Sequence, residues 1–230
     1  MGFWRIPGFA KETLDFDAEA RKLFEQLNLS PNEIDTRSNY NPLDAVWKHP
    51  TTGAKIYIGN AQAAQSLSIL KANGIKRIVN CTDNMPHYHS ADPGLMYLRF
   101  DVSNWGRYVD GTDASVRKFA APLFAFVVEG LERGENVMVH CLAGAHRAGT
   151  TGVACLMHFA RMDMAKAIVA AKRCRPVVDP IGMLPEFLRR LQKTQKADRS
   201  AAGSSGSSSS SGSSVPAALG RPASLNQGHR

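Results

Sequence analysis

The sharpest change of hydrophobic pattern in the chain lies between Val137 and His158. An apolar run of strand type, Val137-Met138-Val139-His140, gives way to small residues between Cys141 and Arg147, and helix-compatible residues then continue to His158. That pattern predicts a strand, a loop and a helix in direct succession. Earlier, Leu23, Phe24 and Leu27 at helical spacing among Glu, Lys and Arg predict a helix from about Asp15 to Leu29, stopped by Ser30-Pro31. Asn39 to Pro50 is rich in turn residues and reads as a connector.

From Lys55 the pattern becomes Lys-Ile-Tyr-Ile-Gly, a short strand ended by glycine. Gln62 to Asn73 reads as a helix with Leu67, Ile69 and Leu70 apolar, capped by Gly74, and Ile75 to Thr82 as a second strand. Strand, helix and strand in so short a stretch make a βαβ unit and imply a parallel pair. A further strand over Leu95–Phe100 precedes helices over Ser115–Arg133, despite Pro122, and Asp163–Arg173. The Arg175–Pro180 stretch breaks the chain before a last helix from Met183 to about Lys193.

The order of elements predicts an α/β fold, a central mostly parallel sheet with helices on both faces, its site beyond the carboxyl end of the strand at His140. Residues 1–44 form an extension with one helix, 45–198 the main domain, and 199–230 a Ser/Gly-rich tail with almost nothing to bury, expected to be disordered.

Composition adds a few exclusions. No apolar run approaches the ~20 residues that cross a bilayer. The amino terminus lacks the charged-then-apolar pattern of a secretory signal, and Ile6 stands where myristoylation requires Ser or Thr, so a cytoplasmic or nuclear location is expected. Cys81, Cys141, Cys155 and Cys174 have no paired spacing, which argues against a disulfide framework or zinc cluster. His87 and His89 lack a third ligand nearby and read as a solvated loop rather than a metal site. A formal charge of +8 and pI near 9.5 suit an acidic partner such as a phosphorylated substrate, though basic helix faces that keep a protein soluble give the same figure.

Chemistry concentrates in the loop. Where a strand gives way to a helix, unpaired backbone N–H groups and the positive end of the helix dipole converge, which makes an anion site. Ala143, Gly144 and Ala145 leave the backbone free to curl around an oxyanion. A cysteine at the centre of such a ring is held as a thiolate and acts as a nucleophile. Arg147, six residues on, has a planar fork that grips two phosphoryl oxygens at once.

The stretch His140-Cys141-Leu142-Ala143-Gly144-Ala145-His146-Arg147 resembles the His-Cys-x-x-Gly-x-x-Arg signature of protein tyrosine phosphatases. Its Cys-Leu-Ala-Gly form resembles the dual-specificity branch, as do the strand-helix-strand of Ile56–Thr82 and the Arg175-Pro176 turn before a closing helix. The resemblance implies a phosphatase that attacks phosphotyrosine and phosphoserine or phosphothreonine through Cys141. The backbone of Leu142, Ala143, Gly144, Ala145, His146 and Arg147 would hold the phosphoryl oxygens, and His140 would brace the loop. It implies neither metal nor organic cofactor, and phosphorylated proteins, kinases among them, as partners, with no nucleic acid or membrane.

Two positions depart from the family. Its general acid, an Asp, lies seven residues after the strand tyrosine, and counting from Tyr97 gives Asn104. Counting back from Cys141 by the family's spacing gives Asp110 instead, with Asp101 and Asp113 as alternatives; on an extended strand Asp101 would point away from Asn104. After Arg147 the family has a hydroxyl that stabilises the departing thiolate, and here stands Ala148, with Thr150 or Thr151 as the candidate substitute. His146 is either a rim donor or solvent-facing, and Cys81 reads as packing rather than a redox partner of Cys141. Two other functions fit the same residues. One is this chemistry on a phosphoinositide, a glucan or an RNA 5′ end; the other is a module that binds phosphorylated partners with little turnover.

Overall fold

The computed structural model describes residues 14–27 and 40–204. Five strands form one sheet: β1 (Leu43–Lys48), β2 (Lys55–Gly59), β3 (Ile75–Asn80), β4 (Met96–Arg99) and β5 (Asn136–His140). Among the described residues the helices are α1 (Phe16–Gln26), α2 (Ala61–Gln65), α3 (Leu67–Ala72), α4 (Asp113–Glu132), α5 (Arg147–Phe159), α6 (Met164–Cys174) and α7 (Leu184–Ser204).

The sheet order is β1-β2-β5-β3-β4, parallel throughout except for β1, which runs antiparallel to β2. β5 is central, and its Val137, Met138 and Val139 are all buried, because a strand covered on both faces needs no polar alternation. The βαβ reading places β2 beside β3; the structure inserts β5 between them, so the two run parallel but each pairs with β5. Pairing partners follow from later chain that returns to the sheet, which local periodicity does not carry.

Helices cover both faces, as the element order predicts. Ala63, Ala64 and Leu70 of α2 and α3 pack on Tyr57, Ile78 and Met138, while α4 to α7 enclose Ile56, Ile58, Val79, Val137 and Val139. The contact between α5 and β2 is close. A Cβ on Gly152 would stand 2.3 Å from Cδ1 of Ile58, so a larger residue would push the helix off the sheet.

Three local expectations change. The connector over 39–50 contains β1, whose alternation is hidden by a bulge between Ala45 and Trp47 and by flanking Pro42 and Pro50. The single helix over Gln62–Asn73 is broken at Ser66, whose extended backbone and Oγ begin a second helix by accepting from the Ile69 N–H at 3.3 Å. The closing helix runs past Lys193 to Ser204, into the tail expected to be disordered. Its Lys, Gln and Ala residues favour helix, and ion pairs Lys193–Asp113 and Arg117–Asp198 tie it to α4. Ser30-Pro31 and residues 205–230 lie outside the described residues.

Candidate active site

β5 delivers Cys141 to the end of the sheet, and α5 begins at Arg147. Between them Gly144 adopts φ +65°, and a Cβ there would lie 2.6 Å from the Gly59 carbonyl oxygen, so only glycine fits. The carbonyls of Leu142 to Ala145 are each taken by a donor from outside the loop. That of Leu142 accepts from the Ala61 N–H at 3.0 Å, and that of Ala145 from the Asp179 N–H at 3.1 Å. The Ala143 carbonyl accepts from the Tyr40 hydroxyl at 2.6 Å and Arg175 Nη2 at 3.0 Å, and the Gly144 carbonyl from Arg175 Nε at 2.8 Å. Those of His146 and Arg147 serve α5, the first accepting from the Thr150 N–H at 2.8 Å and the second from the Thr151 hydroxyl at 3.0 Å.

With the carbonyls turned outward, the N–H groups of Leu142 to Arg147 are left without an acceptor among the described residues. They meet the positive end of the α5 dipole around Cys141, which is 2% exposed. Arg147 is buried beside it, and its Nε has no partner among the described residues. Burial pulls the guanidinium's pKa down, but the Cys141 sulfur and the Asp17 carboxylate outweigh it and raise it overall. The sequence-predicted nucleophile, phosphate loop and arginine are therefore brought together.

Asp17, from α1, is the unexpected member. Its Oδ1 accepts from Arg147 Nη2, its Oδ2 accepts from Asn84 Nδ2 at 2.9 Å, and the Phe16 ring lies 5.7 Å from the guanidinium carbon. The rest of α1 docks on the loop, where Ala20 and Phe24 pack with Ala143 and Ala145.

The supporting residues take other positions than expected. The His140 ring is fully buried, and neither nitrogen has a partner among the described residues; the loop is braced by its backbone carbonyl, which accepts from the Cys81 N–H at 2.9 Å. Burial, reinforced by His87, Arg99 and Arg147, pushes this imidazole down to about 3, so it is neutral at pH 7. The His146 ring is buried rather than solvent-facing, and its Nδ1 donates to the Asp179 carbonyl at 2.7 Å. The Thr150 hydroxyl donates to the His146 carbonyl at 2.7 Å, and Thr151 likewise bonds one turn back, so both hydroxyls serve the helix.

Asn104 lies in a 3₁₀ turn, Val102–Arg107, not on an extended strand. That turn puts Asp101 on the same side, contrary to the strand-based expectation. Asn104 Nδ2 donates to Asp101 Oδ2 at 2.9 Å and reaches Asp83 Oδ2 at 3.4 Å. Asp110 stands ahead of α4, where its Oδ1 accepts from the Thr112 hydroxyl at 2.7 Å and the Thr112 N–H at 2.9 Å. Bonds from Thr112, then Ser115, hold it down to about 2, so it carries a carboxylate, not a proton, at pH 7. Asp113 pairs with Lys193. Of the other cysteines, Cys81 and Cys155 are packed in the core, where burial pushes Cys81 well up and Cys155 to about 12, and all four thiols are free. The His89 ring bonds the Gln65 carbonyl and His87 stacks on Tyr97.

Sequence reasoning missed Arg175, Tyr40 and Asp44. Arg175 Nη1 also donates to Asp44 Oδ2 at 2.6 Å and the Asn41 carbonyl at 2.7 Å, fixing the start of β1 and the residues before it to the outside of the loop. The Arg-Pro dipeptide was the available signal for Arg175. Nothing local marks Tyr40 or Asp17, whose roles come from contacts more than 100 residues away along the chain.

Residues 56–196 match the family profile described as "Dual specificity phosphatase, catalytic domain". Human dual specificity protein phosphatase 9 is 29% identical over 141 residues, 60% of this chain and 35% of that protein. Arabidopsis thaliana dual specificity protein phosphatase 1 is 29% identical over 137 residues, 60% of this chain and 64% of that one. This chain thus spans about a third of the length of the human relative. Among solved structures, human DUSP28 is similar with a TM-score of 0.52 and 25% identity, covering 69% of this chain and 96% of that one. A mouse putative dual specificity phosphatase complexed with zinc tungstate shares the fold at a TM-score of 0.53 and 23% identity, over 73% of this chain and 97% of that one.

Proposed function

Since the chain belongs to the dual specificity phosphatase family, we propose that it hydrolyses phosphate monoesters on protein tyrosine, serine and threonine side chains through a phosphocysteine. The observation that carries this reading is the loop whose Leu142 to Ala145 carbonyls are taken by donors from outside it, while its N–H groups keep no acceptor among the described residues and Arg147 lies beside Cys141. Phosphoryl transfer is catalysed chiefly by positioning and by charge stabilisation on the equatorial oxygens, which this cradle supplies.

In the first step the Cys141 sulfur attacks phosphorus in line, the P–O bond to the substrate breaks, and the leaving oxygen takes a proton. In the second, water attacks phosphorus, loses a proton, and expels the thiolate with inorganic phosphate. For the first proton the residues that support a role are Asp101 and Asp83, the carboxylates gathered by Asn104. Asp110, to which the loop count points, is committed to Thr112. A second reading, capture with slow turnover, is favoured by Ala148, since the nearby Thr150 and Thr151 hydroxyls are bonded to helix carbonyls.

The test is hydrolysis of p-nitrophenyl phosphate, and then of phosphotyrosine and phosphoserine peptides, by the full chain and by Cys141→Ser. Activity in the first and its loss in the second are expected. Equal rates would sink the enzyme reading.

A further inference from the structure

We propose that α1 is a built-in pseudosubstrate, its Asp17 carboxylate standing on Arg147 where a substrate's phosphoryl oxygens bind, so that substrate enters only when α1 leaves. This rests on the reading of the Cys141–Arg147 loop as a phosphoryl site, and adds an occupant from the same chain. Arg147 is the only charged side chain that the loop itself contributes, and its Nη2 is bonded to Asp17. A carboxylate and two equatorial phosphoryl oxygens make the same demand on a guanidinium, and one nitrogen does not serve both at full strength.

The contact is built rather than incidental. Asp15 caps α1 by accepting from the Asp17 and Ala18 N–H groups at 3.0 Å each, which fixes Asp17 in the first helical turn. Asn84 orients its second carboxylate oxygen, and Phe16 closes over the guanidinium. Phe24 anchors the far end of the helix edge-on to Tyr40 at 5.9 Å, the same tyrosine that shapes the loop. With α1 docked Arg147 is 3% exposed, too little for a phosphorylated side chain to reach it. The apparent affinity for any anion is then multiplied by the small fraction of molecules with α1 undocked.

Removing the carboxylate should therefore strengthen anion binding. The probe is tungstate, titrated calorimetrically into the full chain carrying Cys141→Ser, alone and combined with Asp17→Ala, Asp17→Asn or Phe24→Asp. Phe24→Asp undocks the helix while leaving Asp17 and Arg147 in place. A gain of roughly ten- to hundredfold is expected for Asp17→Ala, the worth of a hydrogen bond between charged groups, with a smaller gain for the isosteric Asn. Phe24→Asp should give a gain like that of Ala. Unchanged or weaker tungstate binding in Asp17→Ala overturns the proposal, as does a fall in p-nitrophenyl phosphate turnover in the Cys141 background without a gain in binding, which would make Asp17 the acid. If the Cys141 protein hydrolyses nothing while the tungstate gain appears, the phosphatase reading fails and the pseudosubstrate contact stands.

Discussion

Replacing Arg175 by lysine keeps the charge but removes the planar fork, and the structure says how much that matters. The native guanidinium, 1% exposed, donates to the Gly144, Ala143 and Asn41 carbonyls and to Asp44 at 2.6 to 3.0 Å. A single ammonium can remain with Asp44 and Asn41, which share one nitrogen of the fork, but does not also span to the loop. Ala143 would keep the Tyr40 hydroxyl, whereas the Gly144 carbonyl would be buried with no donor. Two hydrogen bonds from a charged group, each worth about 1.5–3 kcal/mol, are lost, so Arg175→Lys should destabilise by about 3–6 kcal/mol. For a domain of this size that lowers Tm by about 6–24 °C in a calorimetric scan. Tungstate affinity should fall as well, because the Gly144 backbone turn is no longer held. Asp44→Asn is the internal control: it leaves both loop contacts in place and should lower Tm by less. A Tm within about 2 °C of wild type, with unchanged tungstate affinity, would refute the assignment of Arg175 as the residue that shapes the loop.

Asn104→Asp should raise kcat about tenfold or more on p-nitrophenyl phosphate and add a basic limb to its pH profile, because three neighbouring carboxylates hold one proton to higher pH; no change would show that this turn does not face the leaving group. Ala148→Ser should convert a burst followed by slow turnover into a single faster phase in stopped-flow mixing, by restoring a hydroxyl next to Arg147; a linear trace from wild type would refute the slow second step. His140 titrates at about 3 in the fold against 6.5 for an ordinary imidazole. The unfolded chain therefore binds a proton that the fold refuses, and stability falls by about 1.4 kcal/mol for each pH unit between about 6.5 and 3. His140→Phe should flatten that limb in urea titrations; an identical slope would contradict the shift.

The parts of this fold that were legible are those written in local pattern. β5, its loop and α5 form one continuous stretch in which the chemistry, the strand and the helix start are adjacent, so Cys141 and Arg147 could be read directly. The helix end near Gly74 followed from a capping glycine, which takes φ +60°. What was not legible depends on distant chain. β1 is a strand because β2 offers it an edge, and its bulge erases the period-two signal. The Asp101–Asn104 relation depends on a 3₁₀ turn, where residues three apart share a face, while the strand-based reading put them on opposite faces. The role of Asp17 exists only because α1 folds back over the loop.

These distant contacts also move the boundary of the catalytic unit. A domain counted from residue 45 omits Tyr40, Asn41 and Asp44, yet the first reaches the Ala143 carbonyl and the other two hold Nη1 of Arg175. An outward-facing carbonyl is what turns its peptide's N–H toward an anion, so the segment from Tyr40 is part of the proposed phosphate site although it would touch no phosphate. Tyr40 then has a second consequence, because its ring is also the surface against which Phe24 of α1 packs. The same side chain that shapes the loop for a phosphoryl group seats the helix whose carboxylate takes that group's place. Access and loop geometry are thereby coupled through one residue: a change at Tyr40 that loosened α1 would also release the Ala143 carbonyl, giving an easier approach to a less ordered cradle.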